Sequence, residues 1–598
     1  MENGFFQTYK KNMNLTQFLK TNTEKFPFNP AIGFKKKEEW QQINWKEFGR
    51  MVYKTANALR NAGISENDKV AIYSDNSAEW ITFDLAVLAL GAVSVPIYST
   101  NNKEQTEYII NDSEAKIILT GNQEHYDICY EIIQNNQFLK HIIVAKTSVW
   151  IKKDRSEFFE QFIKKASEKF EIVEKKNDDL ATLIYTSGTT GIPKGVMLTH
   201  GNFLNAFEAH NSFFDFKEFQ DEHSLAFLPL SHVFERCWSI YVLHNGAKVS
   251  FLENPKLIAN ALTEVKPTLM CAVPRFYQKI FNGINEMANS SSENKKKIFN
   301  WAIKVGSQVS ELKRKNQKIP FGLNAKYSLA NGLIFHKIKK KLGGKLWFMP
   351  CGGASLSEDI TKFFDAMGIH ITVGYGLTET TATLTAFPLQ NYEHGTAGKP
   401  MGDTQIRIAE NDEIQVKGSG IMKGYYNNSE ETAKVFTEDG WLKTGDAGKL
   451  DSNGNLTITD RIKDLMKTSN GKYIAPQPIE NLLSNNNFVN QIMLVAEGKP
   501  YVSALITPNF EALEEKLKSL QIPFTNWIDV VENEKVKVFY HQLIDGIQKN
   551  LPGFEKVKKF TLLPAEFEIS SGEITPTLKV KRNIVSKKYE KEIEKMYH

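Results

Sequence analysis

The segment from Ile184 to His200, IYTSGTTGIPKGVMLTH, crowds glycine, serine, threonine and lysine beside an apolar run. Gly188 and Gly191 permit backbone angles closed to other residues, so successive N–H groups can turn inward around phosphate oxygens. Thr186, Ser187, Thr189 and Thr190 add hydroxyl donors, and Lys194 adds a mobile positive charge. A loop with this donor capacity suits a polyphosphate. The spacing GxxxxGK[ST] is absent, so it is not a Walker A loop. The bland alternative for the same residues is a polar surface turn. A second candidate, His232 in LPLSHVFER, carries little weight alone, because a lone histidine is more often structural.

Elements able to hold such a loop recur along the chain. DKVAIYS, AKIILTG, HIIVAK and KVSFLE are short β-rich runs separated by helical stretches, which predicts helices covering mostly parallel sheets. LAVLALGAVSVPIY predicts a buried helix running into a strand rather than a membrane span. From about 275 to 342 the chain is lysine-rich and helical in period, read here as a solvated helical insertion. After Gly402, IRIAENDEIQVKG and NGNLTITD predict a small β-subdomain. After Lys463, QIMLVAEG, YVSALITP and FTLLP predict strands in a compact C-terminal unit. Domains of residues 1–462 and 463–598 are expected.

The composition, 41% hydrophobic and 24% charged, is that of a globular protein. A net charge of +5 over 598 residues favours an anionic ligand or a membrane surface slightly and is no nucleic-acid footprint. Cys129, Cys237, Cys271 and Cys351 form no CxxC pair, which argues against a zinc site or a disulfide framework. With no signal-peptide pattern at the N-terminus, a cytoplasmic protein is expected.

The Ile184–His200 segment resembles the signature loop of the adenylate-forming superfamily of acyl-CoA synthetases, peptide-synthetase adenylation domains and luciferases. Further motifs follow in that family's order over nearly the whole chain. The resemblance implies a large N-terminal domain of layered α/β sheets with a small β-subdomain, then a small mobile α+β domain. It implies that His232 lies near the acyl carboxylate and the phosphates. CGGASL, with Gly352, Gly353 and Ala354, resembles the segment that abuts adenine. In VGYGLTET, Tyr375 and Gly376 would meet the base, Thr378 the phosphates, and Glu379, with Thr186, a magnesium ion. Asp446 in GWLKTGDAGKLD is the implied ribose-hydroxyl acceptor, and Arg461 in TDRIKD its ribose and phosphate partner. Lys463 matches the family's hinge. Lys579 in GEITPTLKVKR matches the adenylation lysine, with Lys581 the competing choice. Lys467 and Gly471 in KTSNGKY would face the coenzyme A channel.

The activity implied is activation of a carboxylic acid by ATP as an acyl-adenylate, then transfer of the acyl group to coenzyme A. HVFER, the helical insertion and the ending TPTLKVKR resemble the long-chain fatty-acid branch. Lys449-Leu450 and Gln477 depart from that branch's pattern, and no single chain length follows. The competing readings are a ligase for medium-chain or aromatic acids and a non-catalytic nucleotide-binding regulator on the same fold.

Overall fold

Strands covered on both faces must be apolar throughout, and the central sheet follows that rule. Lys69–Tyr73, Val93–Ile97, Ile117–Thr120 and His141–Val144 are buried at nearly every position. The computed structural model, which describes residues 13–187, 193–214, 216, 219–462, 464–568, 570–575 and 579–598, places them in a seven-stranded sheet. Its order is Ser156–Phe158, His141–Val144, Ile117–Thr120, Lys69–Tyr73, Val93–Ile97, Leu180–Ser187, Pro193–Thr199. Every pairing is parallel except the last, where Leu180–Ser187 and Pro193–Thr199 run antiparallel with Thr186 opposite Lys194. The segment expected to turn around phosphate therefore joins the last two strands of the sheet. Gly188, Thr189, Thr190 and Gly191 lie outside the described residues, as does the side chain of Ser187.

A second sheet joins His223–Ala226, Lys248–Phe251, Pro30–Lys36 and Glu39–Asn44, and a third begins with the parallel pair Phe348–Cys351 and His370–Tyr375. Residues 269–272 bridge the two. The expected β-subdomain is an antiparallel sheet of Gln405–Ile408, Glu413–Lys417, Leu442–Leu450 and Leu456–Arg461. The C-terminal unit has its own sheet, Val489–Val495, Ser503–Pro508 and Lys559–Leu562. It has its own core too, in which Leu483, Ile492 and Leu494 meet Val536 and Tyr540.

The lysine-rich segment is helical, as Pro274–Asn289, Glu293–Arg314, Phe321–Ala330, a π-turn at Asn331–Phe335 and His336–Lys341. It is only half solvated. Phe299, Ala302, Val305, Ala330 and Phe335 are buried in a core shared with Phe363, Phe364 and Met367.

One polar cluster lies wholly inside the large domain. Arg236, on the helix Val233–His244, donates to Asp84 on the helix Ala78–Ala89 through Nε (3.0 Å) and a terminal nitrogen (2.7 Å). Its other terminal nitrogen donates to the Thr182 hydroxyl at 2.7 Å, and Ser94 donates to Asp84 at 2.6 Å. Removing one partner of a buried pair strands the other charge. Arg236→Met should therefore lower unfolding free energy by about 3–5 kcal/mol, read from urea denaturation. Asp84→Leu combined with Arg236→Met should recover most of that loss. An unchanged midpoint in the single variant would show the pair to be dispensable.

Candidate active site

The edge of the central sheet, the third sheet, the β-subdomain and the C-terminal unit meet around one cleft of about 1640 Å³. Thr186, Lys194, His232, Gly352, Gly353, Ala354, Gly376, Thr378, Glu379, Asp446, Arg461 and Lys579 all line it. Residues nearly 400 positions apart in the chain are thus brought together.

The helix Val233–His244 begins at this cleft. His232 is its N-cap, with Nδ1 accepting from the Phe234 N–H at 3.1 Å. Burial, followed by the nearby Lys579 ammonium, pushes the imidazole down to about 4. It is therefore neutral at physiological pH, and with Nδ1 occupied as an acceptor its proton is on Nε2. Cys237, Trp238 and Tyr241 line the cleft from the same helix face, at i+3, i+4 and i+7 from Phe234. Tyr241 lies about 14 Å along the axis from His232 at 1.5 Å per residue. With Phe214 and Ala386 these side chains make one end of the cleft apolar.

Asp446 and Arg461 face one another across the antiparallel pair Leu442–Leu450 and Leu456–Arg461, with Arg461 Nε 3.4 Å from Asp446 Oδ1. The other carboxylate oxygen accepts from the Tyr375 hydroxyl at 2.7 Å. Burial and the adjacent Asp446 charge push that phenol up, so it stays a donor. Gly374 and Gly376 line the cleft on either side of Tyr375, whose own ring is 8% exposed. A Cβ on Gly376 would stand 1.9 Å from the Ala382 carbonyl oxygen, so only glycine fits. Thr381 and Ala382 hold positive φ angles of 52° and 74°, with Thr381 donating to the Gly420 carbonyl at 2.7 Å. A β-branched residue in that region is strained, and here the strain borders Glu379.

Glu379 accepts from the Tyr425 hydroxyl at 2.9 Å. The Lys194 ammonium sits 5.2 Å over the Tyr425 ring and pairs with Glu431. Lys194, then Lys434, hold the Glu431 carboxyl down at about 2. Sequence reasoning missed Tyr425 and Glu431. Both arrive through backbone pairing of Pro193–Thr199 with residues 423–426, seen in Tyr426 N–H to Gly195 O (2.8 Å) and Lys423 N–H to Met197 O (3.1 Å). No local pattern announces a contact across some 230 residues.

Lys579 reaches the cleft from the C-terminal unit. Its backbone is held by Thr575 N–H donating to Lys579 O at 2.8 Å and by its own N–H donating to Thr575 Oγ1 at 3.0 Å. Three residues on, Arg582 anchors the segment on Glu480 at 2.6 Å. Burial, followed by repulsion from Arg461, pushes the Lys579 amine down to about 8 against the pull of Asp446 and Asp464. Lys581, the competing lysine, also lines the cleft.

Lys467 and Gly471 are not brought into this cleft. Lys467 is exposed on the two-stranded ribbon Met466–Lys467 and Tyr473–Ile474, its ammonium 5.4 Å over the Tyr473 ring. Gly471 takes φ +76° at the ribbon's turn with open space around it. Lys463 lies outside the described residues.

Residues 19–426 match the family model of the AMP-binding enzymes, and residues 463–598 match that family's C-terminal domain. The chain is 32% identical over 560 residues to the long-chain-fatty-acid–CoA ligase FadD15 of Mycobacterium bovis, covering 94% of this chain and 93% of that protein. It is 30% identical to long chain acyl-CoA synthetase 3 of Arabidopsis thaliana, covering 100% and 94%. Among solved structures, the adenylation domain of a carboxylate reductase from Mycobacterium chelonae superposes with a TM-score of 0.80 at 19% identity, covering 100% of this chain and 92% of that one. An anthranilate CoA ligase in complex with anthranoyl-AMP gives 0.76 at 18%, covering 98% and 99%. With its large α/β domain, small C-terminal domain and full-length relatives, this chain belongs to the AMP-binding, adenylate-forming enzyme family.

Proposed function

We propose that the protein is a long-chain fatty acid–CoA ligase that forms an acyl-adenylate from ATP and then acyl-CoA and AMP. The observation that carries this reading is one cleft with cations from separate units at one end and an apolar wall of Phe214, Trp238 and Tyr241 at the other. An amphiphile with an anionic head and an apolar tail matches both ends.

In the first step a carboxylate oxygen attacks the α-phosphorus and pyrophosphate leaves. Negative charge grows on the phosphoryl oxygens, where Lys579, Arg461 and Lys194 offer fixed positive charge in a water-poor site. Neutral His232 at a helix N-terminus can donate from Nε2 to an acyl carboxylate without adding net charge. Asp446 is suited to accept two ribose hydroxyls, with Tyr375 and Arg461 holding its carboxylate in place. Gly352, Gly353, Ala354 and Gly376 leave room for a flat base. Thr378 is suited to meet the phosphates. A magnesium ion accompanying the triphosphate would be held by Glu379, and by the Thr186 hydroxyl, and would neutralise phosphate charge.

Thioester formation needs the coenzyme A thiol at the acyl carbon. We assign that step to a second placement of the C-terminal unit, pivoting near Lys463 and presenting Lys467 and Gly471. Among the described residues the side-chain hydrogen bonds that would break include Asn481 to the Ser355 hydroxyl (2.5 Å), Gln278 to Asn485 (3.5 Å), the Gln477 N–H to Asp460 (3.4 Å), and Arg275 to Asn490. Polar contacts of this kind permit domain motion. The domain limits 1–462 and 463–598 are part of the same proposal. Four buried free cysteines suit a reducing, cytoplasmic setting.

Three measurements test these assignments. Lys579→Ala should abolish pyrophosphate release yet still convert supplied acyl-adenylate and coenzyme A to thioester, whereas Lys467→Ala should do the reverse. Equal slowing of both half-reactions in both variants would refute the two-placement scheme. An ammonium is charged only below its pKa, so kcat/KM for ATP should be level through neutrality and fall as pH rises past about 8. Because kcat reports the complex, in which triphosphate favours the charged amine, its fall should come at higher pH. A kcat/KM profile flat to pH 10 would remove Lys579 from the rate. Finally, kcat/KM should climb with acyl chain length, each buried methylene contributing about 0.8 kcal/mol, until the apolar end is filled. A preference for benzoate-like acids would favour the aromatic-acid reading.

A further inference from the structure

The helical insertion carries a charge and an apolar surface that the cleft does not use. Between residues 293 and 345 there are fourteen Lys and Arg residues and two Glu, an excess of twelve positive charges in a chain whose net charge is +5. The rest of the molecule is therefore net negative, and the insertion is a concentrated basic surface.

Its outermost rod runs through Phe321–Ala330, the π-turn Asn331–Phe335 and His336–Lys341, a length of about 30 Å. One face packs inward through Tyr327, Ala330, Ile334, Phe335 and Ile338. A globular helix should then be polar on the other face. This one is not. Phe321, Leu329 and Leu333 are 89%, 56% and 43% exposed, and with Ala325 they form a row at four-residue spacing. Lys326, Lys337 and Lys340 flank that row, exposed and without an ion-pair partner among the described residues.

Single exposed apolar residues need no explanation, but a row bordered by unpaired lysines does. We propose that this face docks on an anionic lipid bilayer, lying in its surface with Phe321, Leu329 and Leu333 among the acyl chains and the lysines at headgroup phosphates. A bilayer supplies both complements in one plane. No helix of the described residues is long and apolar enough to cross a membrane, so the contact is peripheral. This inference stands whether or not the ligase reading does.

Sedimentation of the full-length protein with vesicles of phosphatidylcholine mixed with phosphatidylserine tests it. Binding should be strong on mixed vesicles, weak on phosphatidylcholine alone, and reduced by salt. Replacing Lys326, Lys337 and Lys340 together by Gln should weaken binding roughly 100-fold, at ~1 kcal/mol for each lysine near the surface. Phe321→Gln with Leu329→Gln and Leu333→Gln should weaken it independently, and both variants should melt with the unaltered protein. Failure of the unaltered protein to bind mixed vesicles, or equal binding by both variants, would overturn the proposal. So would self-association that the apolar variant abolishes with no change in vesicle binding, because that assigns the face to a second copy of the chain.

Discussion

Asp84 and Arg236 face each other where water does not reach, 0% and 1% exposed as side chains, and four elements are tied at that point. The guanidinium reaches Asp84 on one helix and Thr182 on a central strand, while Ser94 closes the carboxylate from the next strand and Thr182 donates back to the Ser94 carbonyl at 2.7 Å. Burying such a pair adds little net stability, because desolvation offsets most of the attraction. What it supplies is position. The helix carrying Arg236 starts just after its N-cap His232, and the strand carrying Thr182 runs on through Thr186, which lines the cleft. Sliding that helix by one residue would strand Arg236 in the core and move His232 out of the cleft. The places of His232 and Thr186 at the cleft are thus set by an interaction that lies outside it.

Around the cleft, three of the cations already have an anion nearby. Lys194 leans on Glu431, Arg461 on Asp446, and Lys579 feels Asp446 and Asp464. A wall bearing only cations would repel itself at low dielectric. Interleaved carboxylates remove that cost while leaving flexible ammonium groups able to turn toward phosphate. Burial of Lys579 pulls its amine down to about 8, so the charge it delivers is poorly solvated and responds strongly to an incoming anion.

Much of this was readable from residue types. The short apolar runs became strands where expected, since runs such as Ile117–Thr120 have no polar face to expose. The antiparallel β-subdomain followed from Gly and Asn turns between alternating residues. The cleft brought together most of the expected motif residues from Thr186 to Lys579, and several of them, such as Thr186, His232 and Arg461, lie at a strand end or helix start, where local sequence specifies the backbone. Tyr425 and Glu431 escaped notice, because their place depends on a strand pairing that no local periodicity encodes. Burial of the Tyr375 ring behind Asp446 likewise depends on packing across 71 residues. The insertion was read as solvated from its lysines. Its buried Phe299 and Phe335 follow from helix faces that only tertiary contacts identify.

The helix Pro274–Asn289 joins the cleft to that insertion. Arg275 and Gln278, in its first turns, touch the C-terminal unit, and its later turns lead into the basic rods. Burial lowers the Arg275 pKa, yet a guanidinium stays charged at any physiological pH, so it is held in the interface at a desolvation cost. Its hydrogen-bond partner there, Asn490, is neutral. The Glu566 carboxylate of the C-terminal unit also attracts that charge, which offsets part of the desolvation cost. Arg582 and Glu480, by contrast, pair entirely within the C-terminal unit. The short ionic contact near Lys579 is therefore internal to the C-terminal unit. That pairing fixes the Arg582 end of the segment that brings Lys579 to the cleft, so the lysine's place follows from the C-terminal unit's own packing.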